Sequence, residues 1–221
     1  MTALRERDAE GARGHFVYSL LQEVCAERGC TLHGDRRYGY SGAIEYPDGR
    51  RAFFMGTAFD INGQGASQLA RDKAYSAQLL AGSGLSTPEG VLLFSPRYRA
   101  ELALKSKSLA AGLAFAEPAL AFANRHGFPL FLKPNEGTAG KGVMKVTSVE
   151  RLFEGIRDIF ETADKALLQV PATGRDYRLV VLDGKVMAAY ERAPFTVTGD
   201  GLSSVADLVA QALDAFRRED R

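Results

Sequence analysis

No run in this 221-residue sequence stays apolar for the roughly 18 residues that a membrane-spanning helix needs. The stretch 1–14 is polar with mixed charges and lacks the apolar centre of a secretory leader, so a cytoplasmic protein is the expectation. Charge of one sign is missing too: 28 Lys+Arg against 27 Asp+Glu leave a net charge of +1. A chain so balanced has no global field to gather nucleic acid or an anionic membrane, and any basic site must be local. Cysteine is scarce. Cys25 and Cys30 are the only two, and His15, His33 and His126 are scattered rather than set at metal-ligand spacing beside them. A disulfide framework and a zinc site are excluded on that pattern; both cysteines are expected to be reduced thiols near a helix end, and no metal ligands are assigned within the sequence.

What is present is the composition of a soluble globular protein, 46% hydrophobic and 25% charged, enough for one large domain or two small ones. Phe16, Leu20, Leu21 and Val24 recur at helical spacing, with Gly29 placed to cap the helix end. Strand-like runs 38–46 and 51–55 flank Pro47-Asp48-Gly49, a turn in which proline presets φ and glycine accepts a positive φ, so a hairpin is expected. A helix is expected over 66–81, stopped by Gly82-Ser83-Gly84, then a buried strand at 91–94 and an Ala/Leu/Lys-rich helix over 97–113. Pro118 opens a further helix that Gly127 closes.

A short strand, 128–134, then runs into the glycine-rich stretch 135–142, and 143–146 returns as a strand. Ser148 caps a helix with Leu152, Phe153, Ile156 and Ile159 on its inner face, followed by an apolar strand at 166–170. Strands 177–182 and 185–190 flank Asp183-Gly184, a favoured two-residue hairpin turn. Ser203 or Ser204 caps a last amphipathic helix carrying Val205, Leu208, Val209, Leu213 and Phe216. Hairpins among the helices rule out a purely parallel sheet, and the expected class is α+β, with helices on one face of the sheets.

The chemistry concentrates in Lys133-Pro134-Asn135-Glu136-Gly137-Thr138-Ala139-Gly140-Lys141-Gly142. Glycines let backbone N–H groups crowd around an anion, and lysines add charges that complement phosphate. The stretch is not a Walker sequence, because Lys141 is followed by Gly142 and Val143 rather than by Ser or Thr and a helix. Taken alone, it reads equally as a polyphosphate site or as a glycine-rich hairpin with solvated lysines.

Order and spacing add a resemblance. Ala70-Arg71-Asp72-Lys73, then Leu132-Lys133-Pro134 with its glycine turn, then Gly174-Arg175-Asp176-Tyr177-Arg178, then Glu191-Arg192-Ala193-Pro194 with Gly199-Asp200-Gly201, resemble the ordered motifs of ATP-grasp ligases over about residues 57–209. The last two most resemble the ATP-grasp domain of cyanophycin synthetase and its relatives, including the ligase part of bifunctional glutathione synthetase. The resemblance implies two small α+β subdomains that hold ATP between them. It implies phosphorylation of a substrate carboxylate by ATP, displacement of phosphate by an amine, and release of ADP. Fixed cations, backbone donors and metal ions suit such a transfer of negative charge.

By the same resemblance Lys73 and Lys133 contact phosphates, and Glu136, Gly137, Thr138, Gly140, Lys141 and Gly142 form the loop that closes over them. Gln169, Val170 and Ala172 line the adenine pocket, largely through backbone groups, and Asp176 holds the ribose hydroxyls. Arg178 and Arg192 are the catalytic candidates, each placed to grip two oxygens of phosphate or substrate carboxylate. Each residue also has a plain reading: Lys73 as a solvated helix residue, Asp176 as a turn cap, the arginines as partners of acids such as Glu191. Gln169 and Val170 stand where relatives carry acidic residues and Pro171 where an aromatic is common, which bears on the adenine contacts.

The resemblance further implies a domain layout: 1–65 a lead-in with helix and hairpin, 66–171 the first ATP-grasp subdomain, and 172–221 the beginning of a second, incomplete one. The family's acidic strand and Glu-x-Asn pair, which hold magnesium, have no counterpart between Leu202 and Arg221, where an amphipathic helix ends in Arg217-Arg218-Glu219-Asp220-Arg221. Magnesium ligands are therefore expected outside this chain, and a fragment of a longer ligase is the favoured expectation. An oligomer could cover the strand edge left open. The partners so implied are ATP and an amino-acid or peptide-like acid and amine. The alternatives are a nucleotide-binding module without catalysis, an inactive fragment lacking magnesium ligands, and a purely structural domain.

Overall fold

A computed structural model of the protein describes residues 16–35, 37–113 and 115–218; the polar stretch 1–14, His15 and the last three residues of the charged tail lie outside the described residues. The chain divides into two compact units, Met1–Val170 and Pro171–Arg221. Every strand pairing is antiparallel and helices lie between the strands, so the class is α+β, as the hairpin signals indicate. Among the described residues no helix is long and apolar enough to cross a membrane.

Unit 1 holds two four-stranded sheets. The first has the order β1-β2-β3-β4, with β1 Thr31–Gly34, β2 Ser41–Glu45, β3 Arg51–Met55 and β4 Ala58–Phe59. The hairpin of β2 and β3 turns at Pro47-Asp48-Gly49 in the register Ile44↔Ala52, but β2 begins at Ser41 rather than at Tyr38. Asp35 explains the later start. Its carboxylate accepts the backbone N–H groups of Arg37, Tyr38, Tyr40 and Ser41, which curls that segment into a loop. Those donors also hold the Asp35 carboxyl down at about 2. Helix α1, Phe16–Arg28, sets Cys25 beside Ile44 and Phe54 in a small core, and both cysteines are free thiols.

The second sheet has the order β5-β8-β6-β7, with β5 Gly90–Phe94, β6 Leu130–Pro134, β7 Met144–Val146 and β8 Lys165–Gln169. Alternation sorts its side chains. Leu93, Leu130, Leu132, Val146, Ala166 and Leu168 bury themselves against α6, Ala116–His126, and α7, Val149–Thr162, which add Phe122, Leu152, Ile156 and Ile159. Each fully buried leucine in such a core contributes about 1.5–3 kcal/mol. Helix α7 starts where Ser148 accepts the N–H of Arg151, as its sequence signal requires. Helix α6 begins two residues before Pro118, which sits within its first turn, where a missing N–H costs nothing. The opposite sheet face carries the residues of the other parity: Leu92 on β5, Phe131 and Lys133 on β6, and Lys165, Leu167 and Gln169 on β8, with Lys133 paired to Leu167 and Phe131 to Gln169.

Two stretches expected to be single helices are each divided. Residues 66–81 fall in α2, Gln64–Arg71, and α3, Lys73–Gly82, broken at Asp72, whose extended backbone lets its carboxylate cap α3 through Tyr75 N–H. Residues 97–113 fall in α4, Pro96–Lys105, and α5, Lys107–Ala111, broken at Ser106, which caps α5 through Leu109 N–H.

Unit 2 is a two-stranded sheet of β9, Tyr177–Leu182, and β10, Lys185–Glu191, with α8, Val205–Arg218. Asp183 and Gly184 both have positive φ, 49° and 73°, the signature of the turn that matches strand twist. Ser204 and Asp207 cap α8 reciprocally: the Ser204 hydroxyl accepts the Asp207 N–H while the Asp207 carboxylate accepts the Ser204 N–H. All residues of β9 and β10 are exposed.

Candidate functional site

Within unit 1 the polar groups gather where β6 runs into the glycine turn. Asn135, wholly buried, follows the last residue of β6. Its N–H donates to the Lys165 carbonyl at 3.0 Å, which anchors the turn to the start of β8. Its carbonyl accepts the Lys73 N–H at 3.2 Å, and its side-chain Oδ1 accepts the Ala74 N–H at 3.0 Å. Two of the orphan N–H groups at the start of α3 are thereby satisfied by one residue of the turn.

The Lys73 side chain completes the join. Its ammonium donates to the carbonyls of Pro134, Asn135 and Gly137 at 3.5, 3.2 and 3.0 Å. An ammonium has three donors, so in this arrangement Lys73 binds the turn's backbone and brings a positive charge to it. The plain reading, a solvated helix residue, does not describe this lysine.

Asp72 and Lys165 form the support beneath. Lys165 Nζ donates to Asp72 at 2.9 Å, with the carboxylate side chain 8% exposed, and lies 3.8 Å from Glu136. Burial works to push the Asp72 carboxyl up, but Asn135, the Tyr75 N–H and Lys165 together outweigh it and hold it below the usual carboxylate range. Lys165 is opposed by burial in the same way, and Asp72 with Glu136 holds it above the usual lysine range.

Lys133 is placed differently. Half-buried on β6, it donates to Gln169 Oε1 at 2.8 Å, and Gln169 Nε2 in turn donates to the Pro88 carbonyl at 3.1 Å. Burial, then the nearby Lys73 charge, push the Lys133 ammonium below the usual lysine range. Beside Gln169 a cavity of about 360 Å³ opens between α3 and the sheet, lined by Ala74, Tyr75, Gln78, Glu89, Leu92 and Leu167 among others. Val170 N–H donates to the Glu89 carbonyl at 3.0 Å.

The turn itself, Glu136, Gly137, Thr138, Gly140, Lys141 and Gly142, is exposed, with backbone bonds from Lys141 to Thr138 and from Val143 to Gly140 closing it. Ala139 has φ 58°, and Gly137, Gly140 and Gly142 are also positive.

In unit 2 the sequence candidates pair with each other. Arg192 bonds the Asp176 carboxylate at 2.5 Å through its guanidinium and the Asp176 carbonyl at 2.7 Å through its N–H. Arg192 thus pairs with Asp176 rather than with Glu191, which lies 3.9 Å from Arg175. Arg178 stands opposite Tyr190 in the hairpin, and Ala172 is exposed ahead of β9.

Sequence reasoning assigned no role to Asp72, Asn135 or Lys165. Two signals could have found them. An Asp just before a helical run is a cap, and the alternation along 165–169 puts Lys165 and Gln169 on one face. Among the described residues no group of three or more His, Cys, Asp or Glu side chains could hold a metal ion.

No family model matches the chain. The cyanophycin synthetase of Nostoc sp. is 29% identical over 156 residues, which is 70% of this chain and 15% of that protein. A probable alpha-L-glutamate ligase of Enterobacter sp. is 28% identical over 204 residues, 84% of this chain and 61% of that protein. Among solved structures, a bifunctional glutathione synthetase from Pasteurella multocida covers 90% of this chain and 25% of its own, at 18% identity and a TM-score of 0.48. The chain thus spans only part of each relative, down to 15% of the cyanophycin synthetase.

Proposed function

We propose that this chain, which is related to the ATP-grasp ligases, holds the triphosphate of ATP on the turn after β6 as part of a carboxylate-amine ligase. The observation that carries the reading is the convergence of Lys73, from α3, and Lys133, from β6, on one glycine-rich turn, close enough for the first charge to depress the second. Two cations at a turn rich in backbone N–H groups suit an anion of high charge density.

In this reading Lys133 meets the phosphates directly from the sheet face. Lys73 fixes the turn from Pro134 to Gly137 and adds its charge, while Glu136, Gly137, Thr138, Gly140, Lys141 and Gly142 close over the bound tail. Gln169, Val170 and Ala172 border the adenine, Asp176 takes the ribose hydroxyls, and Arg178 and Arg192 grip phosphate or the substrate carboxylate. The carboxylate oxygen attacks the γ-phosphorus, ADP leaves, and an acyl phosphate remains; an amine then attacks its carbonyl carbon, forming the amide and releasing phosphate. The electrostatic load of that transfer falls on fixed cations. Magnesium is the ion such chemistry employs, but the described residues do not form a site for it, and every role in this reading falls to the chain's own groups.

The experiment is calorimetry of Mg-ATP binding to the full-length protein, followed by phosphate release with candidate amino-acid or peptide-like acids and amines. Binding that is lost in Lys133→Ala, with turnover on some acid and amine pair, supports a ligase. Binding with no turnover on any pair reduces the reading to a nucleotide-binding module, and no binding at all removes it.

A further inference from the structure

Gln169 is one of four buried polar or charged residues among those described, and a buried amide must place both of its ends. Its Nε2 is fixed on the Pro88 carbonyl and its Oε1 faces Lys133 Nζ. The orientation is forced, because an amide NH₂ cannot accept from an ammonium. Two lysines on this sheet face are thus treated in opposite ways. Lys165 is answered by the Asp72 carboxylate at 2.9 Å and Glu136 at 3.8 Å. Lys133 is answered only by a neutral oxygen at 2.8 Å, and the charge that acts on it is the like charge of Lys73.

We propose that Gln169 is a positioning residue that tethers Lys133 without neutralising it, so that the Lys133 charge is left for a bound polyphosphate to answer. The proposal rests on the nucleotide reading above and goes further in giving the Gln169 side chain a task distinct from lining a base pocket. A carboxylate at this position would hold the lysine equally well in geometry, but it would form an internal ion pair that the incoming phosphate must compete with.

The test uses the full-length protein, unaltered and as Gln169→Glu and Gln169→Met. The first measurement needs no nucleotide: the NMR titration of the Lys133 ε-carbon, identified by its loss in Lys133→Arg. The second is the affinity for Mg-ATP. In Gln169→Glu, Lys133 is expected to titrate at higher pH than in the unaltered protein and Mg-ATP affinity to fall by about tenfold or more, the equivalent of about 1.4 kcal/mol. In Gln169→Met, Lys133 keeps its low titration, and affinity falls less because charge is retained while the tether is lost. A Gln169→Glu protein whose Lys133 titrates unchanged, or which binds Mg-ATP as tightly as the unaltered protein, overturns the proposal alone. Failure of the unaltered protein to bind Mg-ATP overturns the nucleotide reading and this proposal together. Should Gln169→Glu not fold, Gln169→Met decides the matter, since undiminished affinity without the tether overturns the proposal.

Discussion

Asn135 accepts the backbone N–H of Lys73 at 3.2 Å across sixty residues of sequence, and it takes the next N–H, that of Ala74, on its side chain. Helix α3 and the glycine turn are therefore parts of one rigid arrangement within unit 1, and substitutions in either should be felt in the other.

Replacing Asn135 by Ala leaves the Ala74 N–H without its acceptor and opens a void in a fully buried position. The expected loss is about 1–3 kcal/mol of unit 1 stability, read from the urea midpoint. A midpoint unchanged from the parent would contradict the role assigned to this side chain.

Lys165→Met removes the cation that answers Asp72, a carboxylate only 8% exposed on its side chain. An uncompensated, largely buried charge is costly, and a destabilisation of about 1–3 kcal/mol is expected, below the value for a fully buried pair because Lys165 itself is partly open to water. The double variant Asp72→Asn with Lys165→Met should recover part of that loss in a mutant cycle.

The pH dependence follows from the same pair. Asp72 is held below its ordinary range, so its contribution is complete above the unfolded value of about 4 and is lost as pH falls through the lower folded one. Lys165 is held above its ordinary range, so its contribution is complete below the unfolded value of about 10.4 and is lost as pH rises through the higher folded one. Thermal melts of the unaltered protein and of the double variant should diverge most between those limits and converge beyond them.

Lys133 behaves with the opposite sense. Its ammonium is held below the usual lysine range, while a phosphate that binds it favours the charged form. Mg-ATP affinity should therefore decline as pH rises through that lowered value, with a proton taken up on binding. Calorimetry in two buffers of different ionisation enthalpy measures the uptake directly; equal heats at alkaline pH would count against Lys133 as the phosphate contact.

Gly142→Ala tests the closing of the turn. Its φ is +70°, and a Cβ there would stand 2.9 Å from Pro134 Cγ. The conformation and the crowding both oppose a side chain, so a loss of about 1–2 kcal/mol and a weakened grip on nucleotide are expected, to be checked by melting temperature and calorimetry side by side.

The hairpins and capped helices were readable because turn and cap residues act locally. Asp183-Gly184 dictates its turn, and Ser148 dictates the start of α7. The breaks at Asp72 and Ser106 were hidden inside stretches of high helical propensity, where a single capping side chain overrides the composition around it. The relation to ligases was legible in the order of motifs. The links of Lys73 to Gly137 and of Lys165 to Asp72 were not, because only tertiary packing brings together groups that far apart in sequence.

The β9–β10 hairpin, exposed on each strand throughout, has a consequence for motion. A lone two-stranded ribbon is marginal in water, so its amide protons should trade for deuterium well before those of β6 and β8, which lie inside a four-stranded sheet. Peptide-resolved deuterium uptake would then draw a sharp contrast between a slowly exchanging cradle and a quickly breathing ribbon that carries Arg178.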